Sequence, residues 1–225
     1  MKYLFDTANL ALIEQYANRL PIDGITTNPS IIKKEGKIDF WQHFARIREI
    51  IGKEKTLHIQ VTTNSCEDII KEAHAIYEKI DSDVYIKIPV TIDGLAAIKQ
   101  LKQENFKITA TAIYTKMQGF LAMEADADYI APYYNRMQNL DIDSDETIRA
   151  FADMIAKYNY STQILAASFK NMGQVNRAIA NGAQTVTLAP EIMLDAFKMP
   201  SIKKAVDDFH SDWVNTIGDI SIDKL

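Results

Sequence analysis

The chain has few cysteines and no long apolar run, features that disulfide-rich and membrane proteins require. A single cysteine, Cys66, in 225 residues excludes an internal disulfide framework and is typical of a reducing compartment, so we expect a cytoplasmic protein. No run of about 18 apolar residues occurs, and Asp6 interrupts the apolar start MKYLFDTANL, so neither a membrane span nor a signal peptide is predicted. Cys66 has no local histidine partner, which favours a small buried or helix-start residue over a nucleophile.

Positive charge is also in short supply. The 25 Lys and Arg residues against 30 Asp and Glu residues give a net charge of −5, which offers no electrostatic case for binding nucleic acid or an anionic membrane. The four histidines are scattered, and CxxC, HExxH, GxGxxG and P-loop motifs are absent, so we expect no metal or nucleotide cofactor. A composition that is 47% hydrophobic and 24% charged suits one globular domain over residues 1–225.

Short β-like runs alternate with amphipathic helical runs along the whole chain. Helical spacing of apolar residues is clear in stretches such as SCEDIIKEAHAIYEKI and DETIRAFADMIAKYN. Eight βα units in a chain of this length predict a compact α/β fold, the (β/α)8 TIM barrel; an open doubly wound sheet is the alternative, but regular repeats favour closure. The predicted strands are 2–6, 23–27, 56–62, 83–88, 107–112, 128–133, 163–168 and 184–188.

Further helix is predicted after the eighth strand. Residues 191–198 and a C-terminal helical tail of about 201–216 are separated by Pro200, which interrupts a helix. The tail carries Phe209, Trp213 and Val214, an apolar set that we expect to pack against the barrel or against a neighbouring subunit.

Lys87 lies in the run VYIKIPV, whose even-numbered residues are all apolar. If the face formed by those residues is covered by helices, Tyr85, Lys87 and Pro89 point into the opposite interior. Burial penalises the ammonium form of a lysine, and a neutral amine can attack a carbonyl to give a Schiff base. The alternative is a strand-end lysine whose head group reaches solvent.

Other polar side chains are expected beside Lys87. The active sites of such barrels lie at the C-terminal ends of the strands, and the polar residues predicted at those ends are Asp6, Asn28, Gln60, Thr111, Tyr133 and Ser168. The alanine-rich seventh strand does not define its inward face, so the position of Ser168 is less well determined. Each residue has a structural alternative: Asp6 with Thr7, and Asn28 with Pro29, could cap helices, and Tyr133 could be a packed aromatic. The ring as a whole indicates a carbonyl-handling site.

Six segments resemble the transaldolase family, and in particular its small branch containing fructose-6-phosphate aldolase. They are FDTAN (5–9), GITTNPS (24–30), YIKIPV (85–90), TATAIY (109–114), APYYNR (131–136) and AASFK (166–170). The resemblance implies a (β/α)8 barrel that forms a lysine Schiff base with a ketose and needs no cofactor. It also implies that Lys87 is the nucleophile, that Asp6 is an acid/base, and that Asn28 and Thr26 contact the sugar.

The branch is indicated by two positions. True transaldolases carry glutamate where this chain has Gln60, and usually phenylalanine where it has Tyr133. The resemblance to the aldolase branch implies that Gln60, Thr111 and Tyr133 hold a catalytic water. Because an amide cannot exchange protons near neutral pH whereas a phenol can, we expect an aldolase that cleaves fructose 6-phosphate to dihydroxyacetone and glyceraldehyde 3-phosphate. The alternative is a transaldolase of the pentose phosphate pathway.

The resemblance extends to phosphate recognition and to assembly. Arg136 and Ser168 match phosphate-binding positions, and Lys170 stands where long transaldolases have arginine, which keeps the charge but loses the bidentate fork. The implied assembly is a homo-oligomer, a decamer of two pentamers. A proton-transferring sugar-phosphate isomerase is less favoured because the four histidines form no metal-binding cluster. A deoxyribose-phosphate aldolase is less favoured because no second lysine lies at the inward end of another predicted strand. A non-catalytic sugar-binding barrel is a third alternative.

Overall fold

Eight parallel strands form a closed barrel in the order β1 to β8 in the computed structural model, which describes all residues from Met1 to Leu225. The (β/α)8 prediction is therefore confirmed, and every predicted strand is present with ends that differ by a few residues at most. Alternating β-branched and polar residues made these short runs recognisable. The strands are β1 Lys2–Asp6, β2 Gly24–Thr26, β3 Thr56–Gln60, β4 Tyr85–Pro89, β5 Lys107–Ile113, β6 Tyr129–Pro132, β7 Gln163–Ala166 and β8 Thr185–Leu188.

Helices connect the strands, and most begin at a side chain that caps them. Asn9, Asn28, Ser65 and Asp143 each accept a hydrogen bond from a backbone N–H in the first turn, as N-cap residues do. The cap of the first helix is thus Asn9, and the alternative role of Asp6 and Thr7 as its cap is wrong. The helices are α1 Leu10–Tyr16, α2 Pro29–Ile32, α3 Phe40–Ile51, α4 Cys66–Lys79, α5 Ile92–Gln103, α6 Lys116–Glu124, α7 Tyr134–Asn139, α8 Ser144–Tyr158, α9 Met172–Ala180, α10 Pro190–Asp195 and α11 Pro200–Ile217.

The inside of the barrel contains a layer of aliphatic and aromatic side chains, and polar residues gather at the C-terminal ends of the strands. Leu4, Tyr129 and Leu165 form a buried cluster against Tyr85. His58 stacks on Tyr85 with ring centroids 4.6 Å apart. Towards the C-terminal ends of the strands, the inward side chains carry hydroxyl, charged and amide groups. This is the end of the barrel at which the active sites of such folds lie.

Backbone contacts divide the chain into two units, residues 1–190 and 191–225. The first unit contains the whole barrel. In the second, α11 begins at Pro200, because proline fits the first turn of a helix, and the Trp213 indole donates a hydrogen bond to the Ile220 carbonyl at 2.7 Å. The assignment of residues 1–225 to a single domain stays a prediction. No helix has the length and hydropathy needed to cross a membrane.

Candidate active site

A polar cavity of about 430 Å³ opens at the C-terminal ends of the strands. Because all eight strands run in one direction, residues far apart in sequence meet at this end of the barrel. Most of the residues predicted from the sequence line the cavity: Asp6, Asn28, Lys87, Tyr133, Arg136, Ser168 and Lys170. Thr26 and Thr111 are reached through hydrogen bonds to Asp6 and Tyr133.

Lys87 lies in this cavity with only 4% of its surface exposed. Its Nζ donates a hydrogen bond to the Thr27 carbonyl at 2.8 Å, and no carboxylate lies within ion-pair distance. Burial lowers the pKa of the Lys87 amine, while the negative charge of Asp6 acts in the opposite direction and only partly offsets it. A larger fraction of this lysine is therefore neutral amine than of a solvent-exposed lysine, which is the form that attacks a carbonyl.

Asp6, at the end of β1, is held by hydroxyl groups of the neighbouring strands. The Thr26 hydroxyl donates to Asp6 Oδ1 at 2.7 Å, and Thr26 Oγ1 lies 2.7 Å from Thr187 Oγ1. Asp6 Oδ2 makes no hydrogen bond, so one carboxylate oxygen is fixed and the other is available to a ligand. Thr26 is thus joined to the cavity through Asp6, and its contact with the sugar stays a prediction.

Tyr133 faces the cavity beside Thr111, whose hydroxyl donates to the Tyr133 phenol oxygen at 3.2 Å. Burial raises the pKa of Tyr133, and the hydrogen bond from Thr111 and the positive charge of Arg136 partly oppose that increase. The phenol is therefore protonated at neutral pH. In this state Tyr133 can donate a proton or hold a water molecule, but it is not a base.

Gln60 is the predicted site residue that does not line the cavity of Lys87. It is paired in register with Lys87 across β3 and β4, yet it lines a different cavity of about 310 Å³, together with Trp41 and Glu72. Its Oε1 is buried and has no hydrogen-bond partner. The structure thus joins Thr111 to Tyr133 directly but does not join Gln60 to either. An unpaired buried oxygen is unusual and is satisfied most easily by water.

Positive charge surrounds the outer part of the cavity. Arg136 lies over the ring of Tyr133, 4.7 Å from its centroid, and donates to the Tyr114 hydroxyl at 3.1 Å. Lys170 is exposed, and its amine makes no hydrogen bond or ion pair. Ser168 has a left-handed backbone with φ of 64°, which is uncommon for a residue other than glycine and often accompanies function. Its carbonyl accepts from the Asn135 N–H at 2.8 Å, which ties the first turn of α7 to the segment after β7.

Several lining residues were not anticipated from the sequence. Lys34 is an exposed, unpaired cation in the 3-10 helix Lys33–Glu35 that follows α2, while Asn135 and Asn139 lie on α7. No periodic pattern marks such loop and short-helix positions. Thr187 also lines the cavity, and here the alternation of β8 contained the signal, because Thr185 and Thr187 share one face of the strand.

A barrel whose polar end holds one buried lysine belongs to the class of barrel proteins in which an amine can form a Schiff base with a carbonyl ligand. The family model described as transaldolase/fructose-6-phosphate aldolase matches residues 3–224 of this chain. A curated relative from Streptococcus pneumoniae (strain ATCC 700669 / Spain 23F-1), "probable fructose-6-phosphate aldolase", is 52% identical over 213 residues, which cover 95% of this chain and 96% of the relative. The chain therefore belongs to the transaldolase/fructose-6-phosphate aldolase family, as its motifs suggested.

Proposed function

We propose that this protein is a class I aldolase that reversibly cleaves fructose 6-phosphate into dihydroxyacetone and glyceraldehyde 3-phosphate through a Schiff base on Lys87. One observation carries the proposal: the Lys87 amine is buried in a polar cavity, and its pKa is lowered by that burial. The name of the Streptococcus pneumoniae relative supports the choice of substrate.

The first half of the reaction forms and uses the imine. The neutral Lys87 amine adds to C2 of the open-chain ketose, and loss of water gives a protonated imine. Asp6, or a water molecule held by Tyr133, takes the proton of the C4 hydroxyl, and the C3–C4 bond breaks. Its electron pair moves towards the imine nitrogen, so glyceraldehyde 3-phosphate leaves and the dihydroxyacetone unit stays on Lys87 as an enamine.

The second half releases the donor fragment. Protonation of the enamine at C3 restores an imine, and attack of water at C2 frees dihydroxyacetone and regenerates the amine. The protonated Tyr133 phenol, together with Thr111, supports delivery of that water and proton, because burial raises the pKa of Tyr133. Gln60 contributes through a bridging water, since its buried Oε1 has no partner among the side chains.

Phosphate is the group that the outer cavity suits best. We assign its recognition to Arg136, Ser168 and Lys170, and contact with the sugar hydroxyls to Asn28. Asn28 uses its side-chain oxygen to cap α2, which leaves its amide N–H₂ free to donate to a hydroxyl. The exposed lysine in place of an arginine favours loose phosphate binding over a rigid bidentate grip.

The second candidate is a transaldolase, which would keep the enamine until an acceptor aldose phosphate such as erythrose 4-phosphate arrives. The family includes both activities. Tyr133 favours the aldolase, because a proton donor beside the enamine promotes its protonation and hydrolysis. Cleavage without any acceptor is the distinguishing property.

We further propose that the protein is a cytoplasmic homo-oligomer, with a decamer as the expected assembly. Exposed apolar residues repeat along α11 as Ile202, Val206 and Phe209, and such a stripe on a surface is typical of a protein contact. Light scattering coupled to gel filtration tests the subunit count; a monomer at micromolar concentration would contradict the proposal.

Covalent trapping tests the role of Lys87. Borohydride added with fructose 6-phosphate or dihydroxyacetone should reduce the imine to a stable secondary amine, and peptide mass spectrometry should locate it on Lys87. Lys87→Met should abolish trapping, whereas the exposed Lys170→Met should keep it. Trapping that survives in Lys87→Met would refute the assignment of the nucleophile.

A further inference from the structure

The hydroxyl of Thr187 belongs to a chain of buried groups that ends on Asp6. Thr187 lies on β8 opposite Leu4 of β1, and Thr26 lies on β2 opposite Asp6. The contact between Thr187 and Thr26, at 2.7 Å, therefore crosses the inner face of β1 between the side chains of Leu4 and Asp6. Both threonines are 1% exposed or less.

The direction of these hydrogen bonds follows from the number of protons present. An ionised carboxylate only accepts hydrogen bonds, and a threonine hydroxyl has a single proton to donate. Since Thr26 gives that proton to Asp6 Oδ1, its own oxygen must accept from Thr187. The chain thus runs from the Thr187 hydroxyl through the Thr26 hydroxyl to Oδ1 of Asp6.

We propose that Thr187 is a positioning residue of the aldol reaction, which orients the Thr26 hydroxyl towards Asp6 and so directs Asp6 Oδ2 at the substrate. The inference rests on the proposed function, in which Asp6 accepts the proton of the C4 hydroxyl. Without Thr187 the Thr26 hydroxyl loses the partner that fixes its rotation, and the carboxylate loses its orientation. Hydrogen bonds that are connected in this way also strengthen one another.

Thr185 provides a matched control. It lies two residues before Thr187 on the same strand and face, and it is also fully buried, but its Oγ1 has no hydrogen-bond partner. The two threonines therefore share strand, face, burial and residue type, and they differ in that Thr187 lines the cavity and its hydroxyl is hydrogen-bonded. Thr185→Val and Thr187→Val make the same chemical change on the same strand.

The experiment compares Thr187→Val, Thr187→Ser and Thr185→Val with the wild type in cleavage of fructose 6-phosphate. Removing one hydrogen bond from the chain should lower kcat about threefold to tenfold in Thr187→Val, with KM changed less than about twofold. Thr187→Ser keeps the hydroxyl and should restore most of the rate. Thr185→Val should have the kcat of the wild type. Borohydride trapping of dihydroxyacetone should be equal in all four proteins, because imine formation needs Lys87 and not Asp6.

Two results would overturn the inference: an unchanged kcat in Thr187→Val, or an equal loss in Thr185→Val. A wild type that releases no product without an acceptor would instead contradict the proposed function, and the variants would then be compared in transfer to erythrose 4-phosphate, where the same order is expected. Circular dichroism verifies folding, and Thr187→Ala replaces the valine variant if that variant does not fold.

Discussion

Tyr133→Phe removes one oxygen atom from the cavity and leaves the rest of the ring in place. The ring keeps its edge-to-face contact with Tyr114, with centroids 5.6 Å apart, and its position beneath Arg136. The variant loses one long hydrogen bond from Thr111, at 3.2 Å, which should lower the free energy of unfolding by about 1 kcal/mol. For a chain of this size we expect a fall in Tm of about 2–4 °C.

The loss to catalysis should be far larger. A positioned acid or base contributes about 100-fold to 10,000-fold to a proton transfer, so cleavage of fructose 6-phosphate should slow by about 100-fold or more. Imine formation depends on Lys87, so the yield of borohydride trapping should stay near that of the wild type. The assay couples release of glyceraldehyde 3-phosphate to a dehydrogenase and follows the change in absorbance.

Tyr114→Phe is the control for Tyr133→Phe. Its hydroxyl accepts a hydrogen bond from Arg136 at 3.1 Å, so its removal should alter the KM for phosphorylated substrates more than kcat. A Tyr133→Phe variant whose kcat stays within about tenfold of the wild type would refute the reasoning that this phenol takes part in proton transfer.

Three further predictions concern charge in and around the cavity. Because the pKa of Lys87 is lowered on folding, the unfolded chain binds more protons between the folded-state pKa and about 10.4. Stability of the wild type relative to Lys87→Met should therefore rise as pH increases through that range, and parallel Tm curves would contradict the burial argument. Gln60→Glu places a carboxyl group where Oε1 has no partner, and burial should raise the pKa of that carboxyl group. The variant should therefore approach wild-type stability at about pH 5 and fall below it at about pH 8. Thermal melts that show no such trend with pH would contradict this prediction. Arg136→Ala should raise the KM for fructose 6-phosphate about tenfold or more, while the aldol addition of dihydroxyacetone to unphosphorylated glyceraldehyde should be little affected; equal losses for both substrates would contradict a phosphate role.

Much of the fold could be predicted from the sequence because each strand shows its pattern locally. The alternation in VYIKIPV predicts both β4 and the inward direction of Lys87, and the structure agrees on both. The position of an N-cap is harder to predict, because Asp6, Thr7 and Asn9 are all suitable residues and only the observed backbone selects Asn9.

Other features depend on distant parts of the chain and left little local signal. The cavity that Gln60 lines is formed with residues of α3 and α4, and no run of residues specifies how those helices pack. Lys34 lies in a short 3-10 helix of residues Lys33–Glu35, and the partner of Thr187 is fixed by the register of β8, β1 and β2. Contacts across three strands require the closed barrel, so sequence pattern alone could not predict them.

The most direct test of the central claim is release of glyceraldehyde 3-phosphate from fructose 6-phosphate by the purified protein, before and after addition of erythrose 4-phosphate. The aldolase account predicts steady release, together with an equal amount of dihydroxyacetone, before any acceptor is present. Release that begins only with erythrose 4-phosphate and yields sedoheptulose 7-phosphate would contradict it and identify a transaldolase.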